Sequence, residues 1–258
     1  MKLQKLMAAA RLAAGAYTPG VMPCWTDEEP RLVRKWQAGD ELAGQRRNLE
    51  SAIRNALQWK HSLHLFNYGR TALQAVLQCL DLSPGSEVIL PSFSCLGVGL
   101  PVMRAGVAPV LADVDEHFNL SLDSVRRAHG PNVRALVLPH LSGLWAADTE
   151  RILDWAESEK VFVIEDAAQS LGLVVDGRAS GTMGSAGLFS SHGGKPATAA
   201  AGGWIITREK ELAQRLHELP MEDESRKQID KRLDHFLNNC VRRSAARGRA
   251  LLRAVAQA

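Results

Sequence analysis

The sequence predicts an α/β protein with a mostly parallel sheet between layers of helices. Between residues 62 and 165, short apolar runs alternate with helical stretches, and the runs read SLHLF, EVIL, PVLAD, RALVLP and VFVIE. Strands that alternate with helices imply crossover connections, which give parallel strands covered on both faces. A chain of 258 residues is also long enough to bury the core that such a sheet needs.

The helices are predicted from apolar positions at helical spacing. An amphipathic helix is expected at the N-terminus, followed by helices around Glu28–Gln37 and over Glu41–Gln58. The crossover helices between the strands are predicted to begin near Thr71, Leu96, Leu122 and Asp148.

After Val163 the pattern changes to strands without long helices between them. The runs GLFSS and GWIIT are expected to form a hairpin-like return at the edge of the sheet, and the chain is expected to end in basic helices. This pattern divides the chain into an N-terminal helical segment at residues 1–60, an α/β domain at residues 61–220 and a basic helical tail at residues 221–258.

Charge and cysteine usage narrow the class of protein. From Arg226 onward, nine Lys and Arg residues face two Asp residues, so this segment carries +7 and the rest of the chain −4. A solvated helical face explains such a segment, and a weak contact with an anionic membrane surface is the alternative. Because Phe236 is the only aromatic residue among these charges, no nucleic-acid partner is expected.

The four cysteines lie far apart and form no C-x-x-C pair. This pattern argues against a metal site or a disulfide framework and is typical of the reducing cytoplasm. No apolar run is long enough to span a bilayer. We therefore expect a cytoplasmic protein that binds no metal.

Common catalytic and nucleotide motifs are missing from the sequence. The segment SHGGKPAT contains Gly-Lys, but it lacks the first glycine and the Ser or Thr of a Walker A loop. There is no G-x-G-x-x-G after the first strand, no G-x-S-x-G and no H-E-x-x-H. A Rossmann dinucleotide site, a serine hydrolase and a zinc protease therefore have no support.

Three features are predicted to lie where ligands bind in α/β sheets, beyond the carboxyl ends of the strands. They are the acidic pair Glu165–Asp166, the turn NYGRTAL and the segment PSFSC. Gly69 permits a tight turn, so the free N–H groups of Arg70, Thr71 and Ala72 at the start of the next helix would form an anion site.

A lone lysine, Lys195, lies in a glycine-rich loop about thirty residues after Asp166. A lysine amine can form a Schiff base with an aldehyde, and a carboxylate can keep a pyridine nitrogen protonated. With the anion site, these residues would supply the protein's share of pyridoxal 5′-phosphate (PLP) chemistry. The alternative is that Asp166 caps a helix and that Lys195 is an ordinary surface residue.

Four segments together resemble the DegT/DnrJ/EryC1/StrS family. They are ILPSFSCLGVGLPVMRAGVAPVLADVD, PHLSGLWAAD, VFVIEDAAQSLG and GLFSSHGGKPATAAAGG, and the similarity extends from Leu65 to Arg208. The resemblance implies PLP-dependent aminotransferases with the aspartate aminotransferase (type I) fold. Many of these enzymes act on nucleotide-linked keto sugars, including those used in polysaccharide biosynthesis.

The resemblance also implies a role for individual residues. Lys195 would be the Schiff-base lysine and would favour transamination, because related sugar dehydratases carry histidine there. Asp166 would pair with the pyridine nitrogen, and Gln169 would lie beside the ring. The phosphate would be bound by four residues: Gly69, Arg70, Thr71 and Ser190.

Two more positions follow from the same resemblance. His140 and Gly143 match the family's His-x-x-Gly stretch, for which a structural role is expected. The resemblance further implies a homodimer, an amino acid donor (glutamate in many relatives) and a keto sugar acceptor.

Three departures from the family pattern leave other interpretations open. Cys95 stands where many members have an aromatic residue that stacks on the ring, and Ala201 stands where an acidic residue is frequent. The third is length, because most of the small C-terminal domain of the family is expected to be missing. An inactive protein that acts as a binding or regulatory module, or a fragment of a longer enzyme, is therefore the alternative.

Overall fold

The computed structural model describes residues 28–38, 44–197, 199, 201–220, 225 and 227–237. The predicted N-terminal helix and residues 238–258 of the basic tail lie outside the described residues. Within the described ranges, no helix is long and apolar enough to cross a membrane.

The elements follow the predicted order of strands and helices. They are α1 (Glu28–Gln37), α2 (Gln45–Leu57), β1 (Ser62–Phe66), α3 (Gly69–Cys79), β2 (Glu87–Pro91), α4 (Leu96–Arg104), β3 (Ala108–Ala112), α5 (Leu122–Ala128), β4 (Val133–Pro139), a 3₁₀ turn (Leu141–Gly143), α6 (Thr149–Glu159), β5 (Phe162–Asp166), β6 (Val174–Val175), β7 (Arg178–Ala179), β8 (Ala186–Ser190), β9 (Gly203–Thr207) and α7 (Lys210–Glu218).

Local chemistry explains several of these boundaries. Helix α5 begins where the Ser121 side chain accepts a hydrogen bond from the Ser124 N–H group at 3.2 Å. Lys160 follows α6 and Gln58 follows α2, each in the left-handed conformation that closes many helices. Strand β4 is apolar and buried over almost its whole length, as an inner parallel strand must be.

The seven strands of the main sheet are ordered β1-β9-β8-β5-β4-β2-β3. Strands β3, β2, β4, β5 and β8 pair in parallel, and β9 pairs antiparallel with both of its neighbours. The predicted antiparallel pairing of GLFSS with GWIIT is confirmed, but the predicted position at the edge is wrong. Strand β1 pairs with β9 from Ser62 to Phe66 and is the edge strand itself.

Helices cover both faces of this sheet. On one face, α3, α4 and α7 pack on alternate residues of the strands, including Leu90, Val137 and Ile164. On the other face, α5 and α6 pack on the residues in between, including Leu136 and Val163, and α2 packs there near β9. The mostly parallel sheet between helices is therefore confirmed.

The contacts divide the described residues into two compact units. Residues 44–221 include the sheet and its helices, whereas α1 and a helical stretch at residues 227–237 belong to the other unit. Within that second unit, Gln37 Nε2 donates to Asp234 Oδ1 at 2.9 Å. The three-part division at residues 60 and 220 stays a prediction.

Candidate active site

A cavity of about 170 Å³ lies where the carboxyl ends of the central strands meet the N-termini of α3 and α4. This is the place at which ligands bind in open α/β sheets. All predicted site residues except Thr71 line it, namely Gly69, Arg70, Cys95, Asp166, Gln169, Ser190 and Lys195. The structure thus brings together residues that are up to 126 positions apart in the sequence, from Gly69 to Lys195.

The N-terminus of α3 and the end of β8 form a tight junction beside the cavity. A Cβ atom on Gly69 would lie 3.0 Å from Ser190 Cβ and 3.3 Å from its Oγ atom. A Cβ atom on Gly203 would lie 2.6 Å from the Tyr68 carbonyl carbon, so this position requires glycine. The junction therefore holds the first N–H groups of α3 close to the Ser190 hydroxyl, as an anion site needs.

Thr71 lies in the first turn of α3 and is exposed rather than part of the cavity wall. Its Oγ1 atom donates to the Tyr68 carbonyl at 2.7 Å and accepts from the Tyr68 N–H group at 3.1 Å. The hydroxyl therefore fixes the start of the helix.

Asp166 is the last residue of β5, and its side chain lines the cavity. Its Oδ1 atom accepts a hydrogen bond from the Ala168 N–H group at 2.9 Å. Burial raises the pKa of Asp166 above its ordinary value of 3.8, and it outweighs the Ala168 hydrogen bond and the nearby charge of Lys195, which both lower it. The carboxylate therefore lies where a cationic ligand group would be strongly favoured.

Lys195 lies half-buried in the loop between β8 and β9. Ser191 closes the base of this loop, since its N–H group donates to the Gly202 carbonyl at 3.0 Å and its Oγ to the Ala201 carbonyl at 3.1 Å. The Lys195 N–H group donates to the His192 carbonyl at 3.1 Å, which makes a turn just before the lysine. The loop thereby returns the lysine to the same cavity as Asp166.

Gln169 is held by the turn that follows β4. The Ser142 N–H group donates to Gln169 Oε1 at 3.0 Å, which leaves Nε2 available to a ligand. Gly143 has a positive φ of 77°, and a Cβ atom there would lie 3.3 Å from the Gln169 carbonyl oxygen. The hydrogen bond from Ser142 therefore fixes Gln169 at the cavity wall, and Gly143 allows the close approach of the two backbones.

Cys95 is the residue before α4, is exposed and lines the cavity next to Gly97. A thiol there can pack on the face of a planar ligand, although it offers less contact area than an aromatic ring.

The acidic pair Glu165–Asp166 does not act as a pair at the cavity. Successive residues of a strand face opposite sides, so Asp166 lies on the cavity side and Glu165 on the other. The Glu165 side chain is fully buried and accepts hydrogen bonds from the N–H groups of Gly181, Met183 and Gly184 at 2.7, 2.8 and 3.0 Å. The predicted position of Glu165 at the ligand-binding edge is therefore wrong.

Glu165 also contacts His140, whose Nε2 atom lies 2.8 Å from Glu165 Oε1. Burial alone would raise the pKa of Glu165, but the hydrogen bonds from His140 and the backbone hold it below its ordinary value of 4.5. The fully buried position of His140 agrees with the structural role expected for it.

Sequence reasoning missed Tyr68, Leu141 and His192, which also line the cavity. Tyr68 and His192 lie with ring centroids 6.3 Å apart, and the Arg70 guanidinium lies 4.1 Å from the Tyr68 ring centroid. Tyr68 and His192 lie within two residues of predicted site residues, so a wider window around Gly69 and Ser190 would have included both. Among the described residues, no group of His, Cys, Asp and Glu side chains could hold a metal ion.

Comparison with known proteins identifies the family. The model of the DegT/DnrJ/EryC1/StrS aminotransferase family matches residues 27–245. The chain belongs to this family. The resemblance expected from the sequence motifs is therefore confirmed.

Two curated relatives illustrate the match. A UDP-N-acetyl-3-dehydro-alpha-D-glucosamine 3-aminotransferase from Acidithiobacillus ferrooxidans is 33% identical over 180 residues, which are 69% of this chain and 48% of that protein. The GDP-perosamine synthase of Caulobacter vibrioides is 34% identical over 168 residues, 65% of this chain and 45% of that protein. The chain spans about half the length of the curated relatives it matches.

Solved structures with similar sequences share the fold. The aminotransferase TlmJ from Streptoalloteichus hindustanus has a TM-score of 0.71 and 28% identity, covering 78% of this chain and 56% of that one. S. venezuelae DesV, crystallised with a ketimine intermediate, has a TM-score of 0.66 and 29% identity, covering 77% of this chain and 55% of that one. The fold class predicted from the sequence is confirmed by these matches.

Proposed function

We propose that the chain is a PLP-dependent aminotransferase that transfers an amino group from an amino acid, glutamate in the first place, to a nucleotide-linked keto sugar. The observation that carries this proposal is that Lys195 and Asp166 line one cavity bounded by the N-terminus of α3. A lysine, a carboxylate and an anion site are the groups that PLP requires of a protein.

The residues present fit this cofactor. The junction is tight at Gly69 and has no room for a Cβ atom at Gly203, so the first N–H groups of α3 lie close to the Ser190 hydroxyl, which suits a phosphate. The partly buried carboxyl of Asp166, whose pKa burial raises, suits a cationic ring nitrogen that would favour its ionised form. When bound, PLP would supply a ring that withdraws electrons from the α-carbon of an amino acid.

Each residue then has a defined task. Lys195 would hold the cofactor covalently through Nζ and would carry a proton at that atom during turnover. Asp166 would carry a negative charge beside the ring nitrogen, and its Oδ2 atom would be the acceptor, because Oδ1 already accepts from Ala168. Gln169 Nε2 and the Cys95 thiol would orient the ring, and Arg70 would add positive charge at the phosphate.

The names of the relatives support the class of acceptor. They include aminotransferases or synthases of UDP-, GDP- and dTDP-linked sugars, and one aminotransferase that is named for L-glutamine and 2-deoxy-scyllo-inosose. These proteins differ in the sugar and in the nucleotide, so a nucleotide-linked keto sugar is the substrate class that most of them share.

A homodimer is part of the proposal, and the exposed face of α4 supports it. Leu96, Leu100 and Met103 lie on one face of this helix and are 80%, 45% and 63% exposed, and Phe93 just before it is 54% exposed. Apolar side chains clustered in this way mark a protein contact. Because Cys95 and Gly97 line the cavity, a second copy bound there would adjoin the site.

We also propose a cytoplasmic location. Its support is that Cys79 and Cys95, the cysteines among the described residues, are both free thiols. The predicted weak membrane contact of the basic tail stays a prediction, since most of that segment lies outside the described residues.

The cofactor proposal is tested by titrating the purified chain with PLP and recording its visible absorbance. Borohydride should fix the cofactor on the peptide that contains Lys195, as read by mass spectrometry. Lys195→Ala should abolish the labelling, whereas Lys210→Ala, which changes an exposed lysine outside the cavity, should not. Equal labelling of Lys195→Ala and the unchanged chain would refute the assigned lysine.

Transamination is tested on the same cofactor-loaded protein. Glutamate should convert the visible band to a shorter-wavelength one and release 2-oxoglutarate, and a nucleotide-linked keto sugar should then restore the band. Binding of PLP with no response to any amino acid would instead support the inactive alternative.

A further inference from the structure

We propose that the buried Glu165–His140 pair acts as a latch that positions Gln169 and the cavity wall formed by the turn after β4. This inference rests on the proposed function, because it assigns the pair a task toward the cofactor cavity. It makes His140 and Glu165 positioning residues, since both are fully buried and neither lines the cavity.

The first part of the latch is a rigid anchor. The Glu165 carboxylate accepts three backbone N–H groups from the turn at residues 181–184, in addition to its contact with His140. Glycines allow this close approach: a Cβ atom on Gly184 would lie 3.1 Å from Glu165 Cβ, and one on Gly181 would lie 2.9 Å from Ala167 Cβ. A carboxylate with this many donors remains ionised and fixed in place.

The second part is the imidazole of His140, which connects the anchor to the turn. His140 Nδ1 accepts from the Ala146 N–H group at 3.2 Å, so the ring carries its proton on Nε2 and donates it to Glu165. The ring also stacks on Trp145 with centroids 4.6 Å apart and an interplanar angle of 9°. One side chain thus closes the turn from residue 140 to residue 146 and ties it to β5.

The third part is the turn itself, which reaches the cavity. Leu141 lines the cavity wall, and the Ser142 N–H group holds Gln169 Oε1 at 3.0 Å. Ser142 has a φ of 56° and a ψ of 20°, a left-handed conformation that a residue other than glycine keeps where its surroundings enforce it. The closure of the turn by His140 supplies that enforcement.

Through these contacts, the buried Glu165 carboxylate fixes the position of Gln169, a cavity residue on the other side of the sheet. The path runs through Glu165, His140, the turn and Gln169, and each link except the covalent one is a hydrogen bond. A role confined to folding would affect stability but would leave the turn and the cofactor affinity of the folded protein unchanged.

The decisive variant is His140→Phe. Phenylalanine keeps an aromatic ring beside Trp145 and leaves the three backbone hydrogen bonds to Glu165 in place, but it removes both polar contacts of the imidazole. In the cofactor-free protein, the amides of residues 142–146 should exchange with deuterium about tenfold faster than in the unchanged chain, while those of residues 181–184 should not change.

The same variant should bind PLP about tenfold more weakly, as measured by titrating the cofactor-free protein and following absorbance. It should also change the pH dependence of the absorbance of the bound cofactor. His140→Gln, which can place an N–H group where Nε2 donates, should recover part of the affinity. If His140→Phe fails to fold, His140→Gln provides the second variant on which the same measurements are made.

Ile152→Ala serves as the matched control, because Ile152 is fully buried in the core beneath α6 and does not line the cavity. At an equal loss of melting temperature, this variant should keep the cofactor affinity and the exchange of the turn. Unchanged exchange and affinity in both folded His140 variants would overturn the latch. If the unchanged chain takes up no PLP, the proposed function fails, and the exchange measurement still decides whether the latch exists.

Discussion

The two carboxyl groups at the end of β5 are expected to respond in opposite directions when each is replaced by its amide. Asp166→Asn should make the cofactor-free protein more stable, because burial raises the pKa of Asp166 and the ionised form therefore opposes folding. Glu165→Gln should make it less stable, because hydrogen bonds hold the pKa of Glu165 below its ordinary value and its ionised form favours folding.

The structure also sets the size of each effect. In Asp166→Asn the amide carbonyl oxygen would keep the Ala168 hydrogen bond, so removing the charge should stabilise by about 1 kcal/mol, or roughly 2–4 °C in melting temperature. In Glu165→Gln the new NH₂ group would point at backbone N–H donors that now reach a carboxylate oxygen. Leaving two buried donors unpaired should cost about 3 kcal/mol, or roughly 6–12 °C.

The dependence on pH separates the two effects further. Because the pKa of Asp166 is raised in the folded protein, its ionised form lowers the stability. This loss of stability is absent well below pH 3.8 and appears as the pH rises from the unfolded-state pKa toward the folded-state pKa. Because the pKa of Glu165 is lowered in the folded protein, its ionised form stabilises the fold. This stabilisation is complete above pH 4.5 and is lost as the pH falls through the folded-state pKa. Thermal melts followed by circular dichroism, near neutral pH and under acidic conditions, measure both differences.

The cofactor should reverse the order of stability between the unchanged chain and Asp166→Asn. Under the proposed function, PLP would bind the folded protein and should raise the melting temperature of the unchanged chain. It should raise that of Asp166→Asn less, because the amide cannot balance a cationic ring. The reasoning is refuted if Asp166→Asn lowers the stability of the cofactor-free protein as much as Glu165→Gln does. Equal stabilisation of both proteins by PLP would refute the assigned partner of the ring nitrogen.

Three further predictions concern the junction between α3 and β8 and the exposed face of α4. Gly203→Ala should lower the melting temperature and weaken PLP binding, because its Cβ atom would lie 2.6 Å from the Tyr68 carbonyl carbon. Gly99→Ala on α4, where a Cβ atom meets open space, should instead stabilise the protein by about 0.5–1 kcal/mol. Calorimetry measures the stability of both variants. Ser190→Ala should raise the dissociation constant for PLP about tenfold in an absorbance titration, with labelling of Lys195 retained. Leu100→Glu should convert the proposed homodimer to a monomer in sedimentation velocity, and a dimer that is unchanged by this substitution would exclude the α4 face as its interface.

Periodicity was sufficient to predict the elements of the α/β unit but not the order of its strands. The apolar runs and the helix starts are local properties, and those near Leu96 and Leu122 appear where the spacing predicts them. Strand order depends on pairing between distant segments, and β1 lies at the edge because it pairs with β9, about 140 residues later in the chain. Nothing within the segment SLHLF distinguishes an edge strand from an inner one.

The site was predictable to a different degree for each type of residue. The spacing of Lys195 and Asp166 and the family motifs together predicted these two residues, and the structure places both at one cavity. Thr71 was predicted as a phosphate ligand, but its hydroxyl caps α3, because Thr and Ser in a first helical turn compete for local backbone partners. Glu165 was grouped with Asp166 because the two are adjacent, although the alternation of a strand already places them on opposite faces.

This alternation explains how one strand end can serve both stability and function. The buried Asp166 carboxyl lowers the stability of the folded protein, so other contacts must stabilise its surroundings. Glu165 lies one residue earlier and therefore faces the other side, where backbone donors and His140 hold the strand end against the turn at residues 181–184. Exchanging the two residues would place the longer side chain at the cavity and leave the backbone donors beyond the reach of the shorter one. The order Glu-Asp is thus required by the pleat of β5, and the double variant that combines Glu165→Asp with Asp166→Glu should fail to fold even though its composition is the same.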